Sequence, residues 1–271
     1  MWLRMLLACA CLTACSPAQK REIAETYDYV LTPQGQRFRV IASGPLRRGA
    51  NTQLGLRIRY VAQARDEGEL IAHADALVAA LGPELQLTGE RKLIVRARIG
   101  PPTLELQAPG QANYDLVYAL GPHGFARDPA APTPELPDLA AVDAADDPKF
   151  PYAAASLQQA AAAAATWLAA LDAADLATTR QRMTDAFRTQ VADDTKYRQL
   201  LAQRQQAGLP GARKELYRMQ QRSKRAGSEE VLIVYACSVP GRPRVLERLV
   251  MERVNGEWNA SAYAFQPLPA P

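Results

Sequence analysis

Few side chains in this chain of 271 residues could carry nucleophilic chemistry, and Cys237 is the first to consider. It ends an apolar run, and both histidines lie in the other half of the sequence. A cysteine nucleophile needs a neighbouring base and a lowered pKa. Free cysteine is also among the most deeply buried residue types. We therefore expect Cys237 to be a buried structural residue.

The two histidines and the acidic residues do not form a recognisable metal or acid-base site. His73 lies on a predicted helix and His123 in a predicted loop, with no third ligand suggested, so we expect surface or capping roles and no metal. The acids of Asp146-Asp147 and of Asp193-Asp194 are adjacent and cannot face each other on a helix. There is no Gly-rich phosphate loop and no Gly-x-Ser-x-Gly motif. We predict a protein that is not an enzyme and needs no cofactor.

The unusual feature is arginine that alternates with apolar residues in three predicted strands. The residues are Arg37, Arg39, Arg57, Arg59, Arg96 and Arg98. Alternation sends both arginines of each pair to one face of a sheet, so all six are predicted to share its outer face. Like charges on neighbouring strands repel unless something offsets them. The offset is either acidic residues of adjoining strands (Glu25, Asp28, Glu105 or Asp115) or an anionic envelope component or protein.

A second basic run lies between residues 204 and 225, where only Glu215 is acidic. Its members are Arg204, Arg213, Lys214, Arg218, Arg222, Lys224 and Arg225. Basic side chains on a strand discourage edge-to-edge aggregation. We expect this run to form a solvated strand face or edge.

The amino-terminal residues 1–15 read MWLRMLLACACLTAC, which is typical of a secretion signal. Arg4 supplies the positive region, and the apolar core that follows is too short for a permanent membrane span. The run Leu12-Thr13-Ala14-Cys15 resembles the lipobox of bacterial lipoproteins. The resemblance implies a signal peptide at 1–14, acylation of Cys15 by palmitate-like chains, and a tether at 15–22. The alternative is an ordinary secretory signal with incidental cysteines.

The residue after Cys15 predicts which of the two bacterial membranes holds the protein. Gram-negative lipoproteins retained in the inner membrane usually carry Asp there, so Ser16 implies the periplasmic face of the outer membrane. The predicted partners are the membrane, through the lipid on Cys15, and an anionic envelope component, with no nucleic acid in that compartment. Loss of Cys9 and Cys11 with the signal leaves Cys237 as the only thiol, so we expect no disulfide.

The full sequence is 48% hydrophobic and 22% charged, which is a folded composition. Residues 128–151 are rich in Pro, Ala and Asp and predict an interdomain linker, the alternative being a long ordered loop of one domain. Two α+β domains follow, at 23–127 and 152–267. No apolar run after residue 22 is long enough to cross a membrane as a helix.

The first domain is predicted as three strands, one helix and two strands. The strands are residues 25–32, 37–43, 54–62, 92–99 and 113–120. Asp66 and Glu69 form a capping box for the helix, and Gly82-Pro83 is expected to end it.

The second domain is predicted as three helices, at 153–174, 175–190 and 194–208, and then four strands. The strands are residues 214–224, 230–239, 244–254 and 257–265. Asn255-Gly256 predicts a tight hairpin between the last two.

The second domain resembles a bacterial family, the domain of unknown function numbered 4019. An alanine-rich helix carries Trp167 and ends at Asp172-Ala173-Ala174-Asp175, and a helix with Phe187-Arg188 follows. The remaining matches are Tyr197, Arg204, Gly208-Leu209-Pro210, Glu247, Gly256, Trp258, Tyr263 and Phe265. The sequence departs from the pattern at Arg180, where a second Trp is expected, at Ala262, where Gly is expected, and in its basic stretch after Arg213.

This resemblance implies a cystatin-like or related α+β fold, with helices on a curved antiparallel sheet, and no reaction. We therefore expect a lipid-anchored envelope protein that acts as a non-catalytic interaction or assembly module. The alternative is a periplasmic lipoprotein that binds a small ligand in a pocket of the carboxy-terminal domain.

Overall fold

The fold was analysed in a computed structural model that describes residues 28–48, 52–62, 64, 66–87, 89, 91–99, 112–131, 150–191, 193–222 and 229–268. These residues form a mixed α+β structure, which confirms the predicted α+β class, and their strands make one large, mostly antiparallel sheet. The predicted signal, the lipobox at Cys15, the tether and linker residues 132–149 lie outside the described residues.

Ten strands and five helices are described. The strands are β1 (Asp28–Leu31), β2 (Arg37–Arg48), β3 (Thr52–Val61), β4 (Lys92–Ile99), β5 (Ala112–Gly121), β6 (Gly124–Arg127), β7 (Ala212–Arg222), β8 (Glu229–Ser238), β9 (Val245–Val254) and β10 (Glu257–Pro267). The helices are α1 (Glu67–Gln86), α2 (Phe150–Asp172), α3 (Leu176–Gln181), α4 (Asp185–Gln190) and α5 (Asp194–Ala207).

All ten strands belong to a single sheet in the order β10-β9-β8-β7-β1-β2-β3-β4-β5-β6. Neighbours are antiparallel except β3 and β4, which are parallel because α1 carries the chain back between them. The short β1 joins the two halves, since it pairs with β2 on one side and with β7 on the other. The sheet is therefore continuous between the two predicted domains.

Each face of the sheet has its own apolar core. On β8, Leu232 and Val234 pack in the core beneath α1, whereas Ile233 and Tyr235 pack against α2 and its following helices. Successive strand residues point to opposite faces, so α1 covers one face and α2–α5 cover the other. We call these the α1 face and the α2 face.

Two local predictions, a helix cap and a tight turn, are confirmed by the structure. The Asp66 carboxylate accepts a hydrogen bond from the Glu69 backbone N–H at 2.8 Å, which caps α1. Asn255 and Gly256 both have positive φ, at 53° and 87°, as the tight turn between β9 and β10 requires.

The predicted end of α1 at Gly82-Pro83 is wrong, since the helix continues to Gln86 with Pro83 inside it. Gly82 is buried in the helix, and a Cβ there would make only an ordinary contact, 3.7 Å from Phe125 of β6. The last turn is also held by the Glu84 carboxylate, which accepts hydrogen bonds from Tyr217 of β7 and Arg248 of β9. Tertiary contacts therefore outweigh the local cost of the proline.

The predicted helix at 175–190 is also wrong, because it is broken into α3 and α4. The break runs beside β10, where the Thr184 N–H donates to the Ala260 carbonyl and the Ala260 N–H donates to the Arg182 carbonyl, both at 2.9 Å. These long-range backbone bonds satisfy groups that a continuous helix would have used internally. The short β6 was missed altogether.

Candidate functional site: an arginine-bearing sheet face and a buried ion network

The six predicted arginines alternate with residues of the α1 core, so the strand register places them on the α2 face. Phe38, Ile58 and Ala97 are the buried residues between the pairs. Helix α2 packs against β1 and β7–β10, whereas these arginines lie farther along the sheet, on β2–β4.

Arg96 is offset by an acidic residue of the adjoining strand. It lies opposite Asp115 of β5, and its Nε and Nη2 atoms each lie 2.6 Å from a carboxylate oxygen. This bidentate pair raises the pKa of Arg96 through the hydrogen bond to Asp115. Asp115 thus fulfils one of the four offsets considered from the sequence. Glu25, Glu105 and the Asp28 side chain lie outside the described residues.

Among the described residues, Arg57 has no such carboxylate partner. It is half-buried, and its Nε atom is buried without a hydrogen-bond partner among the described residues. Burial and the neighbouring Arg96 both lower the pKa of Arg57, with Asp115 acting in the opposite sense. Arg59, also half-buried, lies directly beside Arg96 in the register of β3 and β4. Three guanidinium groups here share one described carboxylate.

The other three arginines differ in exposure. Arg37 is exposed, but Arg39 and Arg98 are only 8% and 6% exposed. The six therefore do not form one uniform solvent-facing patch. We use the name arginine triad for Arg57, Arg59 and Arg96, which are all half-buried on neighbouring strands.

A second cluster of charged residues lies on the α2 face, in the second half of the chain. The sequence did not predict that its members would come together. We call Asp172, Arg204, Arg213 and Glu247 the ion network. Glu247 is fully buried and Arg204 is 2% exposed. Arg204 Nη2 lies 2.6 Å from Asp172 Oδ1 and 3.3 Å from Glu247 Oε1. Arg213 donates to both oxygens of both carboxylates.

The ion network is electrically balanced, with two guanidinium groups and two carboxylates. Two neutral donors complete it, because Tyr263 Oη donates to Glu247 Oε1 at 2.5 Å and Cys237 Sγ donates to Glu247 Oε2 at 3.4 Å. The Arg204 guanidinium also lies over the Tyr263 ring, 5.5 Å from its centroid. Burial of a charge is tolerated when it is paired and hydrogen-bonded in this way.

The titration behaviour follows from this arrangement. Burial and the Glu247 carboxylate raise the pKa of the Cys237 thiol to about 12. Burial alone would raise the pKa of Asp172, but hydrogen bonds from Arg213 and Arg204 outweigh it, so that pKa is lowered. Cys237 is buried, as expected, and is a hydrogen-bond donor rather than a thiolate.

The expectation that the second basic run is solvated is wrong for its first two members. Arg204 is buried and the Arg213 side chain is 19% exposed, both within the ion network. Arg218 pairs with Glu215 at 2.7 Å. The carboxylates that pair with Arg204 and Arg213 belong to Asp172 and Glu247, which lie outside the run, so the run alone could not reveal them. Lys224, Arg225 and the side chain of Arg222 lie outside the described residues.

Several residues that carry the family resemblance belong to the ion network or lie beside it. The Trp167 ring lies 5.3 Å from the Tyr263 ring and 6.2 Å from the Phe187 ring. Trp167 Nε1 donates to the Thr179 carbonyl, and the Thr179 hydroxyl lies 3.2 Å from Tyr197 Oη. These side chains fill the space between α2 and the strands beneath it.

The histidines differ from each other. His123 is exposed in the turn between β5 and β6, as expected. His73 does not have the expected surface role, because its ring lies 5.1 Å from Phe38 and 6.5 Å from Tyr60. Burial lowers the pKa of His73, with Glu69 opposing. In the described part of the chain no three His, Cys, Asp or Glu residues are grouped to hold a metal ion.

No protein-family model matches this chain, and a search of curated proteins found no similar sequence. None of the helices in the described ranges combines the length and the apolar character needed to span a membrane.

Proposed function

We propose that this protein is a lipid-anchored component of the bacterial outer membrane, facing the periplasm, that acts as a non-catalytic interaction or assembly module. The observation that carries the proposal is the arginine triad. Arg57 and Arg59 lie close to Arg96 on neighbouring strands. Among the described residues, Asp115 is the only acidic partner of these three arginines. Surface cations that lack internal partners attract anionic lipid or polymer.

The lipobox-like run ending at Cys15 supports the anchor. Each buried CH₂ of an acyl chain contributes about 0.8 kcal/mol, so several chains hold a protein stably. A tether of residues 15–22 spans at most about 28 Å when fully extended. The first half of the sheet would then lie close to the lipid headgroups, and the arginine triad would orient it there.

A non-catalytic role fits the second half. The Cys237 thiol stays protonated, and the charges of the ion network are engaged by one another. The aromatic rings of Trp167, Phe187 and Tyr263 pack against one another between α2 and the sheet. This packing favours the interaction module over the small-ligand binder.

The proposal includes two finer points on organisation. Residues 152–267 form a domain related to the family of unknown function numbered 4019, with a cystatin-like arrangement, and residues 23–127 form another. Convergence of the resemblance residues on the ion network supports the first point.

The experiment is vesicle binding by unacylated protein that starts at Ser16. Wild type is expected to bind anionic vesicles, to ignore neutral ones, and to be released by salt. The double variant Arg57→Gln/Arg59→Gln should lose binding without unfolding. The matched control Arg182→Gln/Arg198→Gln changes two exposed arginines of the helical layer and should retain it. Equal binding by the test and control variants would refute a role for the arginine triad.

A further inference from the structure

The two edges of the sheet are protected to different degrees. One edge is β6, which has only four residues and includes a glycine and an arginine. The other is β10, with eleven residues, and no charged side chain lies between Trp258 and Pro267. Natural proteins usually protect edges with short strands, charges or prolines, because an open edge presents unpaired N–H and C=O groups.

Part of β10 is covered by the chain itself. The break between α3 and α4 pairs with β10 at Ala260, through Arg182 and Thr184. A β-bulge follows between Ala260 and Ala262, and regular pairing with β9 then continues to Pro267. Within the described residues nothing pairs with the outer side of β10 beyond this bulge.

The side chains of this open segment suit pairing with an identical strand. Its exposed residues are Ala262, Ala264 and Gln266, and none of them is charged. Tyr263 and Phe265 are half-buried on the α2 face, with their ring centroids 5.9 Å apart. If two copies pair in antiparallel fashion about Ala264, Tyr263 of each copy lies opposite Phe265 of the other copy.

That register has favourable consequences. It forms two cross-strand aromatic pairs, which stabilise antiparallel sheets. It places no like charges opposite each other, because the segment carries no charge. Alternate backbone groups of β10 that point away from β9 would be satisfied by the partner strand. A charged or unrelated strand would lack the reciprocal aromatic contacts.

We infer that β10 is a self-association edge, through which two copies of this chain form a two-fold dimer with one continuous sheet. The segment from Ala262 to Gln266 lies at the centre of the interface, and Ala264 lies on the two-fold axis. This dimer is independent of the proposed membrane contact, which involves β2–β4 at the other end of the sheet.

The test uses the full mature protein in mild detergent, with the protein mass measured by light scattering. Wild type is expected to have twice the mass of one chain. Ala264→Lys puts two like charges on the axis and should yield single chains, whereas Ala202→Lys, at an exposed position of α5, should remain dimeric. A monomeric wild type at the highest concentration reached, or a dimeric Ala264→Lys variant, would overturn the inference.

Cysteine cross-linking provides a second measurement that does not depend on a destabilising charge. Residues directly opposite in antiparallel strands have Cα atoms about 4.5–5.5 Å apart, which suits a disulfide. Ala264→Cys should therefore form a disulfide-linked dimer in intact envelopes under mild oxidation. Ala202→Cys is the control, and equal cross-linking of the two variants would contradict the dimer. Since Cys237 is buried, it does not interfere.

Discussion

The carboxylate of Glu84, in the last turn of α1, accepts a hydrogen bond from Nε of Arg248 on β9 at 2.8 Å. The two residues are 164 positions apart in the sequence and belong to different predicted domains. Tyr217 of β7 donates to the other oxygen of the same carboxylate. One side chain thus ties α1 to two strands of the second half.

The first prediction tests this tie. Glu84→Gln is expected to lower the free energy of unfolding by about 1–2 kcal/mol, since it weakens two hydrogen bonds to a charged acceptor. Urea unfolding followed by the fluorescence of Trp167 and Trp258, which lie only in the second half, should report the change. The control Glu67→Gln, exposed in the first turn of α1, should shift the midpoint less, since it loses only a favourable interaction with the helix dipole. An unchanged midpoint in Glu84→Gln would mean that α1 does not stabilise the second half.

The second prediction concerns the ion network. Glu247→Gln keeps the shape but removes a buried charge, leaving Arg204 and Arg213 with Asp172 alone. Breaking a buried pair in this way is expected to cost about 3–5 kcal/mol. Glu229→Gln, which breaks the exposed 3.5 Å pair with Arg253, should cost less than about 1 kcal/mol. Chemical denaturation compares them, and equal losses would contradict a stabilising network.

The third prediction concerns the Cys237 thiol. At roughly pH 8 an alkylating reagent should modify it only in denaturant, because a thiolate is required and this thiol is buried and protonated. The pKa in the folded state is about 12, above its ordinary value of 9.0. The corresponding stability is therefore complete below the ordinary pKa and is lost as pH rises toward 12. Rapid modification of the native protein would disprove the buried hydrogen bond to Glu247.

The fourth prediction concerns His73. Its pKa in the folded protein lies below the ordinary value of 6.5 because the ring is partly buried beside Phe38 and Tyr60. The unfolded chain then binds more protons as pH falls through that value, so stability decreases between about pH 7 and pH 5. His73→Gln should flatten this part of the stability curve, as measured by thermal unfolding. His123→Gln, in an exposed turn, should leave the slope unaltered.

The fifth prediction concerns the anchor. Cys15→Ala should abolish incorporation of labelled fatty acid and remove the protein from the outer-membrane fraction, because the thioether can no longer form. Ser16→Asp is the companion variant and should shift an acylated protein toward the inner membrane. Wild type that takes up no label would exclude the lipoprotein assignment.

Local signals predicted local structure well. The Asp66 cap and the Asn255-Gly256 turn depend on a few neighbouring residues, so the sequence was sufficient for both. The continuation of α1 through Pro83 depends on partners distant in the sequence, which no local pattern reveals. The break before α4 has the same cause, since Thr184 bonds to Ala260 of β10.

The candidate sites were predicted unevenly for a related reason. Alternation placed the arginines correctly on one face, but their exposure depends on which strands and loops cover them. The ion network joins Arg204 to Glu247, which lie 43 positions apart, and only the fold brings them together. Both residues belong to the pattern of the family resemblance, and that pattern does not indicate that they touch.

The four-residue β1 has a mechanical consequence. Val30 packs into the core of the α1 face, and Leu31, the next residue, packs into the core of the α2 face. If Cys15 is fixed in a membrane, a pull on that anchor reaches β1 before any other strand among the described residues. Such a pull loads the backbone bonds to β2 and β7 together. Extraction of β1 would split the sheet and open both cores at once, so this seam limits the force that the protein can withstand.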